Sequence, residues 1–302
     1  HPAIIEQAGK KIGNPFFKVD EDILQMAAEK TAELRERATE TVTVTSHDGL
    51  QLTGHLWRAE NQKRVMLAMH GWRSTWATDF GVIAPFFRDE GCTILFAEQR
   101  GQGESDGTYM GFGVLERYDC LTWMEWLGQN GFADVPLYLA GVSMGATTVL
   151  MATGFEDLPS NLRGVIADCG FTSPQAIWRH VMQQKLHLPY ALIRRKVEAL
   201  CEERIEVPAD GYSTLDAMAV STTPTLFIHG TADGFVPVEM SRENYEACHA
   251  PKRLLIVEGA DHGMSYYVEQ DVYQQAVRDF FAQYDTIEKE NDGNAYISDP
   301  AR

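Results

Sequence analysis

From residue 41 to 284, short apolar runs alternate with longer segments in which apolar residues recur every three or four positions. The runs Arg64–His70 (RVMLAMH), Cys92–Glu98 (CTILFAE), Pro136–Gly141, Gly164–Cys169 (GVIADC), Thr225–His229 (TLFIH) and Arg253–Glu258 (RLLIVE) predict strands buried on both faces. Helices are predicted over Asp79–Glu90, 113–128, 144–154, 238–249 and 265–284, the last with Val272, Ala276, Val277, Phe280 and Phe281 on one face. Upstream, Thr41–His47 and Leu50–Ala59 alternate with period two across Asp48-Gly49, which predicts a hairpin. Strands interleaved with helices predict an α/β fold: a mostly parallel central sheet of about eight strands, covered by helices on both faces.

Three stretches depart from this rhythm. Residues 1–40 read as an N-terminal helical extension, with a helix around 20–38 carrying Ile23, Met26, Ala27 and Leu34. Residues 171–223 hold helical patterns at Pro174–Lys185 and Pro189–Glu203, more chain than one crossover needs, and are expected to form a helical cap over one end of the sheet. Residues 285–302 form a polar C-terminal tail without periodicity, expected to fray. The core is then 41–170 together with 224–284.

Charge and composition narrow the function. With 26 Lys and Arg against 43 Asp and Glu, the net charge is −17, a surface that repels phosphate backbones, so no nucleic-acid partner is expected. The five cysteines (Cys92, Cys120, Cys169, Cys201, Cys248) are scattered, which points to small buried thiols in a reducing compartment. The apolar runs fall far short of the ~20 residues that span a bilayer, so no membrane span is expected within this chain. A cytoplasmic location is expected. Because the chain starts at His1, an anchored or exported form with an upstream segment removed stays open. The oligomeric state is not set by these features.

The chemistry centres on Gly141-Val142-Ser143-Met144-Gly145, between a buried strand and a helix. A serine on such a sharp turn needs small residues two positions away on either side, hence the elbow glycines Gly141 and Gly145. A serine hydroxyl also needs a base. His262, in Gly259-Ala260-Asp261-His262-Gly263 just past the last strand, is the candidate. Asp233, in the loop after Thr225–His229, completes the order Ser…Asp…His, with Asp168 as the rival acid. Asp261 adjoins His262 too closely to orient its ring and reads as a loop cap. His70 reads as an orienter of its own loop, and Arg100–Ser105 as a tight loop beside the site rather than a dinucleotide fingerprint. The oxyanion donors are expected to be the backbone N–H groups of Met144 and Trp72. Trp72, Trp76, Trp178 and Met182 are candidates to line a pocket. No histidine–carboxylate cluster has metal-ligand spacing, so neither a metal nor another cofactor is expected.

The motifs HGW (70–72), EQRGQGES (98–105), GVSMG (141–145), HGTADGFVP (229–237) and GADHGMSY (259–266), in this order, resemble the α/β-hydrolase superfamily over about 41–284. They are most similar to the YqkD-like bacterial hydrolases, a group placed sometimes with esterases and sometimes with S9-type peptidases. Glu98 and Gln102 depart from the D-x-R-G-H-G of many relatives. The resemblance implies the α/β-hydrolase fold and a serine hydrolase acting on a small-molecule acyl substrate. A carboxylic ester cleaved through an acyl-enzyme is the leading expectation. Peptidase, amidase or thioesterase activity on the same residues is the alternative, and a non-catalytic ligand-binding protein on this scaffold is the reading from a different class.

Overall fold

The structure, a computed structural model, describes residues 21–285 apart from 39, 188 and 209. The expectations for 1–20 and for the tail past Asp285 lie outside the described residues. Eight strands, β1 (Glu40–Thr45), β2 (Gln51–Trp57), β3 (Arg64–Met69), β4 (Cys92–Ala97), β5 (Leu137–Val142), β6 (Leu162–Asp168), β7 (Thr225–Gly230) and β8 (Lys252–Val257), form one sheet in the order β1-β2-β4-β3-β5-β6-β7-β8. The pairs β1–β2 and β2–β4 are antiparallel, and every other pair is parallel.

The inner strands feed two cores. Along β3, Met66 and Ala68 pack with Phe80, Phe87, Tyr138 and Phe281 on one face. Val65, Leu67 and Met69 pack with Trp123, Leu139, Val149 and Phe227 on the other. Alternate side chains point to opposite faces, so a strand covered on both sides reads as an unbroken apolar run.

Helix α1 (Glu21–Arg37) buries Leu34 in the cluster that holds Phe80 and Phe87. The run expected as one helix at 79–90 is two short ones, α2 (Trp76–Phe80) and α3 (Ala84–Asp89). Thr75 caps the first by accepting the Thr78 N–H. Pro85 lies in the first turn of the second, where its missing N–H costs no bond. Gly81 lies where α1 approaches: a Cβ there would stand 3.0 Å from the Lys30 carbonyl carbon. After α4 (Glu116–Leu127) and α5 (Met144–Ala152) come α6 (Pro174–His180), α7 (Tyr190–Ile205) and α8 (Thr214–Val220). The last of these buries Ala217 and Met218 in the core beside α5. Helix α9 (Val238–Ala247) precedes β8, and α10 (Ser265–Val268) and α11 (Gln270–Tyr284) follow it, separated where Glu269 takes φ −133 and ψ 62. No helix among the described residues is long and apolar enough to cross a membrane.

A buried ion pair fastens the antiparallel edge to the parallel part. Arg100, just after β4, forks onto Asp119 of α4, with Nε and Nη2 each 2.6 Å from a carboxylate oxygen. Its Nη1 reaches Asp48 of the hairpin turn at 2.8 Å. Arg100 and Asp119 are almost completely enclosed, so removing one partner strands a buried charge. Asp119→Ala is therefore expected to cost about 3–5 kcal/mol in urea denaturation. A loss below about 1 kcal/mol, the range of an exposed pair, would show that this pair holds nothing together.

Candidate active site

The register of the parallel strands determines which loops meet. Val142 of β5 pairs with Asp168 of β6, Asp168 with Ile228 of β7, and Gly230 with Val257 of β8. The loops that leave β5, β7 and β8 thus emerge along one carboxyl edge of the sheet, where open α/β folds form their sites.

Ser143 stands at the first of these exits, with φ 56 and ψ −117, a conformation side chains rarely adopt. Its N–H donates to the Asp168 carbonyl at 2.9 Å, and its carbonyl accepts the Thr147 N–H at 3.0 Å. The turn is possible only because its flanks lack side chains. A Cβ on Gly145 would lie 1.9 Å from the Met69 carbonyl oxygen, and one on Gly141 would lie 2.3 Å from that of Gly145. Met144 is the first residue of α5, so its N–H has no intrahelical partner and points out at the helix N-terminus. The Gly71-Trp72 segment after β3 closes on the same spot, since a Cβ on Gly71 would lie 3.3 Å from Ser143 Cβ.

His262 comes from the loop after β8, between Gly259 (φ 74) and Gly263 (φ 69). Its Nε2 lies 2.9 Å from Ser143 Oγ and its Nδ1 lies 2.7 Å from Asp233 Oδ2. Asp261 Oδ1 accepts the N–H of His262 at 2.7 Å and that of Gly234 at 3.0 Å. It ties the two loops together without touching the ring's nitrogens. Hydroxyl, imidazole and carboxylate thus stand in the order that lets a proton pass from Ser143 Oγ to His262 while Asp233 holds the ring.

The two buried aspartates are treated in opposite ways. Burial alone would raise the Asp233 carboxyl, but the hydrogen bonds it accepts from His229 and His262 hold it well below the usual carboxylate range. Its Oδ1 also accepts the N–H groups of Phe235 and Val236, each at 2.8 Å. Asp168 has weaker support, including a 3.4 Å contact from Ser265 Oγ, and burial pushes its carboxyl up to about 6. Asp233, not Asp168, is the carboxylate on His262.

The surrounding loops fix the walls. His70 is buried, with Nδ1 2.9 Å from the Gly71 carbonyl and Nε2 accepting the Gln99 N–H at 3.2 Å, so it orients its own loop. Gln102 Oε1 accepts the N–H of Arg73, which takes φ 55, and this brings the 100–105 loop beside Trp72. Trp72 is 40% exposed, and its ring lies 5.9 Å from that of Phe112. Phe112 in turn meets Trp178 edge-on at 5.1 Å and Phe171 at 6.3 Å, in a cluster that includes Met144.

One of the residues expected to line a pocket is placed elsewhere. Trp76 is core: its ring stacks on His55 at 4.4 Å and tilts onto Phe96 at 5.2 Å, because it opens α2 facing the sheet. Met182 is half-buried, and Val181, one position earlier, packs on the Phe112–Trp178 cluster. Phe112 itself was not singled out from the sequence. Its signal is Gly111-Phe112-Gly113 followed by Glu116, whose buried carboxylate accepts both glycine N–H groups at 2.7 Å. That clamp holds Phe112 at φ 51.

Among the described residues two groups have donor atoms close enough to hold an ion: Cys169, Asp233 and His262, and His47, Asp48 and Asp119. In both, the carboxylates already accept hydrogen bonds from histidine and backbone N–H groups or from Arg100.

The prolyl oligopeptidase family (peptidase S9) matches residues 78–286. The uncharacterized protein YqkD of Bacillus subtilis is 24% identical over 267 residues, 87% of each chain. The uncharacterized protein YfhR of Salmonella typhimurium is 27% identical over 240 residues, 74% of each chain. Among solved structures, the Pyrococcus furiosus esterase Pf2001 superposes with TM-score 0.66 at 22% identity, over 82% of this chain and 93% of that one. The α/β-hydrolase GrgF from Penicillium gives 0.63 at 19% identity, over 81% and 98%.

The raised carboxyl of Asp168 has a pH signature. A group protonated more readily in the fold than in the unfolded chain favours folding below the unfolded value, near 4, and loses that contribution as pH rises through about 6. Asp168→Asn removes the cost of the buried charge. It is expected to raise unfolding free energy at pH 8 by on the order of 2 kcal/mol, with the gain vanishing near pH 4. An equal change at both pH values in denaturant titrations would contradict the assignment.

Proposed function

The chain is a hydrolase that belongs to the prolyl oligopeptidase family, and we propose that it cleaves carboxylic esters through an acyl-enzyme formed on Ser143. The observation that carries this reading is the unbroken chain Ser143 Oγ, His262 Nε2, His262 Nδ1, Asp233 Oδ2, at 2.9 and 2.7 Å. In the proposed cycle Ser143 Oγ attacks the carbonyl carbon while His262 takes its proton. The N–H groups of Met144 and Trp72 receive the developing oxyanion, each worth roughly 10²–10³ in rate. The tetrahedral adduct collapses, breaking the ester C–O bond, and His262 returns the proton to the departing alkoxide. Water, activated by the same imidazole, then releases the acid. Asp233 stays ionised and supports the imidazolium.

An ester is favoured over a peptide because the residues around Ser143 are apolar and aromatic. The half-exposed Trp72, Phe112 and Trp178 offer area for an acyl chain. In this reading residues 171–223 act as a cap, its first helix contributing Trp178. The family match itself favours amide cleavage as the second reading, so aminoacyl amides belong beside esters in the assay.

Ser143→Ala is expected to lower kcat by about 10⁴-fold or more with an unchanged unfolding curve. Asp233→Asn should lose about 10⁴-fold, since a neutral partner favours the wrong imidazole tautomer. Full turnover in either variant would end the proposal. Enlarging the wall by Phe112→Ala or Trp178→Ala is expected to move the preferred acyl length, each methylene being worth about 1–3 kcal/mol in kcat/KM. A profile over C2–C12 p-nitrophenyl esters that falls uniformly would place specificity outside this cluster.

A further inference from the structure

The penultimate residue of strand β7 is a histidine to which the hydrolytic reading gives no role. His229 is fully buried, and both of its ring nitrogens are engaged. Nε2 lies 3.0 Å from Asp233 Oδ2 and 3.0 Å from the Val236 carbonyl oxygen. Nδ1 lies 2.7 Å from Oγ of Ser241, a buried residue of α9. The partners assign the proton. Nε2 faces two acceptors and must donate, whereas Nδ1 faces a hydroxyl that can donate to it.

Asp233 consequently sits inside four donors. Oδ1 takes the Phe235 and Val236 N–H groups, while Oδ2 takes one imidazole from His262 and one from His229. A carboxylate has about four lone-pair directions, so all of them are used. The amides come from the carboxylate's own loop and travel with it. The His229 bond does not: it ties Oδ2 to the end of a sheet strand and, through Ser241, to the helix packed beside that strand.

We infer that His229 is a positioning residue for the reaction. By donating Nε2–H to Asp233 Oδ2, it keeps that oxygen aligned on His262 Nδ1, and Ser241 fixes the His229 ring for this purpose. The inference rests on the reading of Ser143, His262 and Asp233 as the catalytic triad. No proton moves through His229. Its work is to stop the carboxylate rotating away from His262 when the imidazolium forms. A histidine present only to fill the core would serve as well if replaced by any side chain of its volume, and that difference is measurable.

The variants are His229→Leu, which keeps bulk and loses the donor, and His229→Gln, which returns an N–H at comparable reach. Hydrolysis of p-nitrophenyl acetate, the low-field proton signal of His262 Nδ1–H and thermal unfolding are read together. His229→Leu is expected to lower kcat by about 10–100-fold, the usual cost of losing a supporting hydrogen bond behind an active group, with KM nearly unchanged and the low-field signal shifted or broadened. His229→Gln should recover most of kcat and the signal. A folded His229→Leu with undiminished kcat, or Leu and Gln variants equally slow with an unaltered signal, overturns the inference. Should His229→Leu not fold, Ser241→Ala decides: it must lower kcat without raising KM, and unchanged kcat overturns the inference. Fluorophosphonate labelling of the unsubstituted protein separates the two levels. Absence of label on Ser143 removes the triad reading itself, whereas a labelled, active enzyme indifferent to His229 removes this inference alone.

Discussion

Everything around the site depends on one strained turn. Ser143 can hold φ 56 and ψ −117 only while β5 and α5 grip it from both sides. Backbone strain of this kind costs on the order of 1–3 kcal/mol and survives only where the surroundings over-determine it. Here they do. The Ser143 N–H is bonded to β6, its carbonyl to the first turn of α5, and the Gly145 backbone lies against the end of β3 with no space for a methyl group. The same contacts aim the serine oxygen away from the sheet and the N-terminus of α5 toward it. The turn therefore sets the direction of attack and the place where negative charge is received, and the histidine and aspartate loops need only arrive at that point.

The second determinant is how burial is compensated. Asp168 and Asp233 leave neighbouring strands and are both enclosed, yet their carboxyls move in opposite directions. Four donors surround Asp233, so its charge is held in place. Asp168 lacks such a set and bears the cost of desolvation. Two residues of one type, at the ends of neighbouring strands, are thus given different chemistry by the hydrogen bonds around them. The Asp233 loop supplies two of its own amides because Gly234-Phe235-Val236 turns back over the carboxylate.

Much of this arrangement was legible in the residues alone, for physical reasons. Strands buried on both faces leave continuous apolar runs, and Asp48-Gly49 leaves a turn with Gly49 at φ 89, so the sheet and its hairpin could be read directly. Ser143, Asp233 and His262 could be picked out because each follows a strand and a parallel sheet gathers such loops at one edge. Features set by long-range contacts were not legible. The break between α2 and α3 falls at Gly81, where α1 approaches, and periodicity does not carry that information. Trp76 and Trp72 look alike four positions apart, yet one opens a helix facing the sheet and the other stands 40% exposed in the loop after β3, against Phe112. Phe112 owes its place to a clamp from Glu116 that only the folded loop reveals. His229 resembles any strand-end histidine until Asp233 folds back onto it.

The central claim is that Ser143 carries the acyl group between the two halves of the reaction. Rapid acid quench of the enzyme during turnover of a slow-leaving acyl ester, followed by proteolysis and peptide mass measurement, tests it most directly. One acyl group per chain is expected, on the peptide containing Gly141-Val142-Ser143-Met144-Gly145, formed and lost at rates that match turnover. An acyl group on another residue, or turnover with no acylated peptide when deacylation is made rate-limiting, would contradict it.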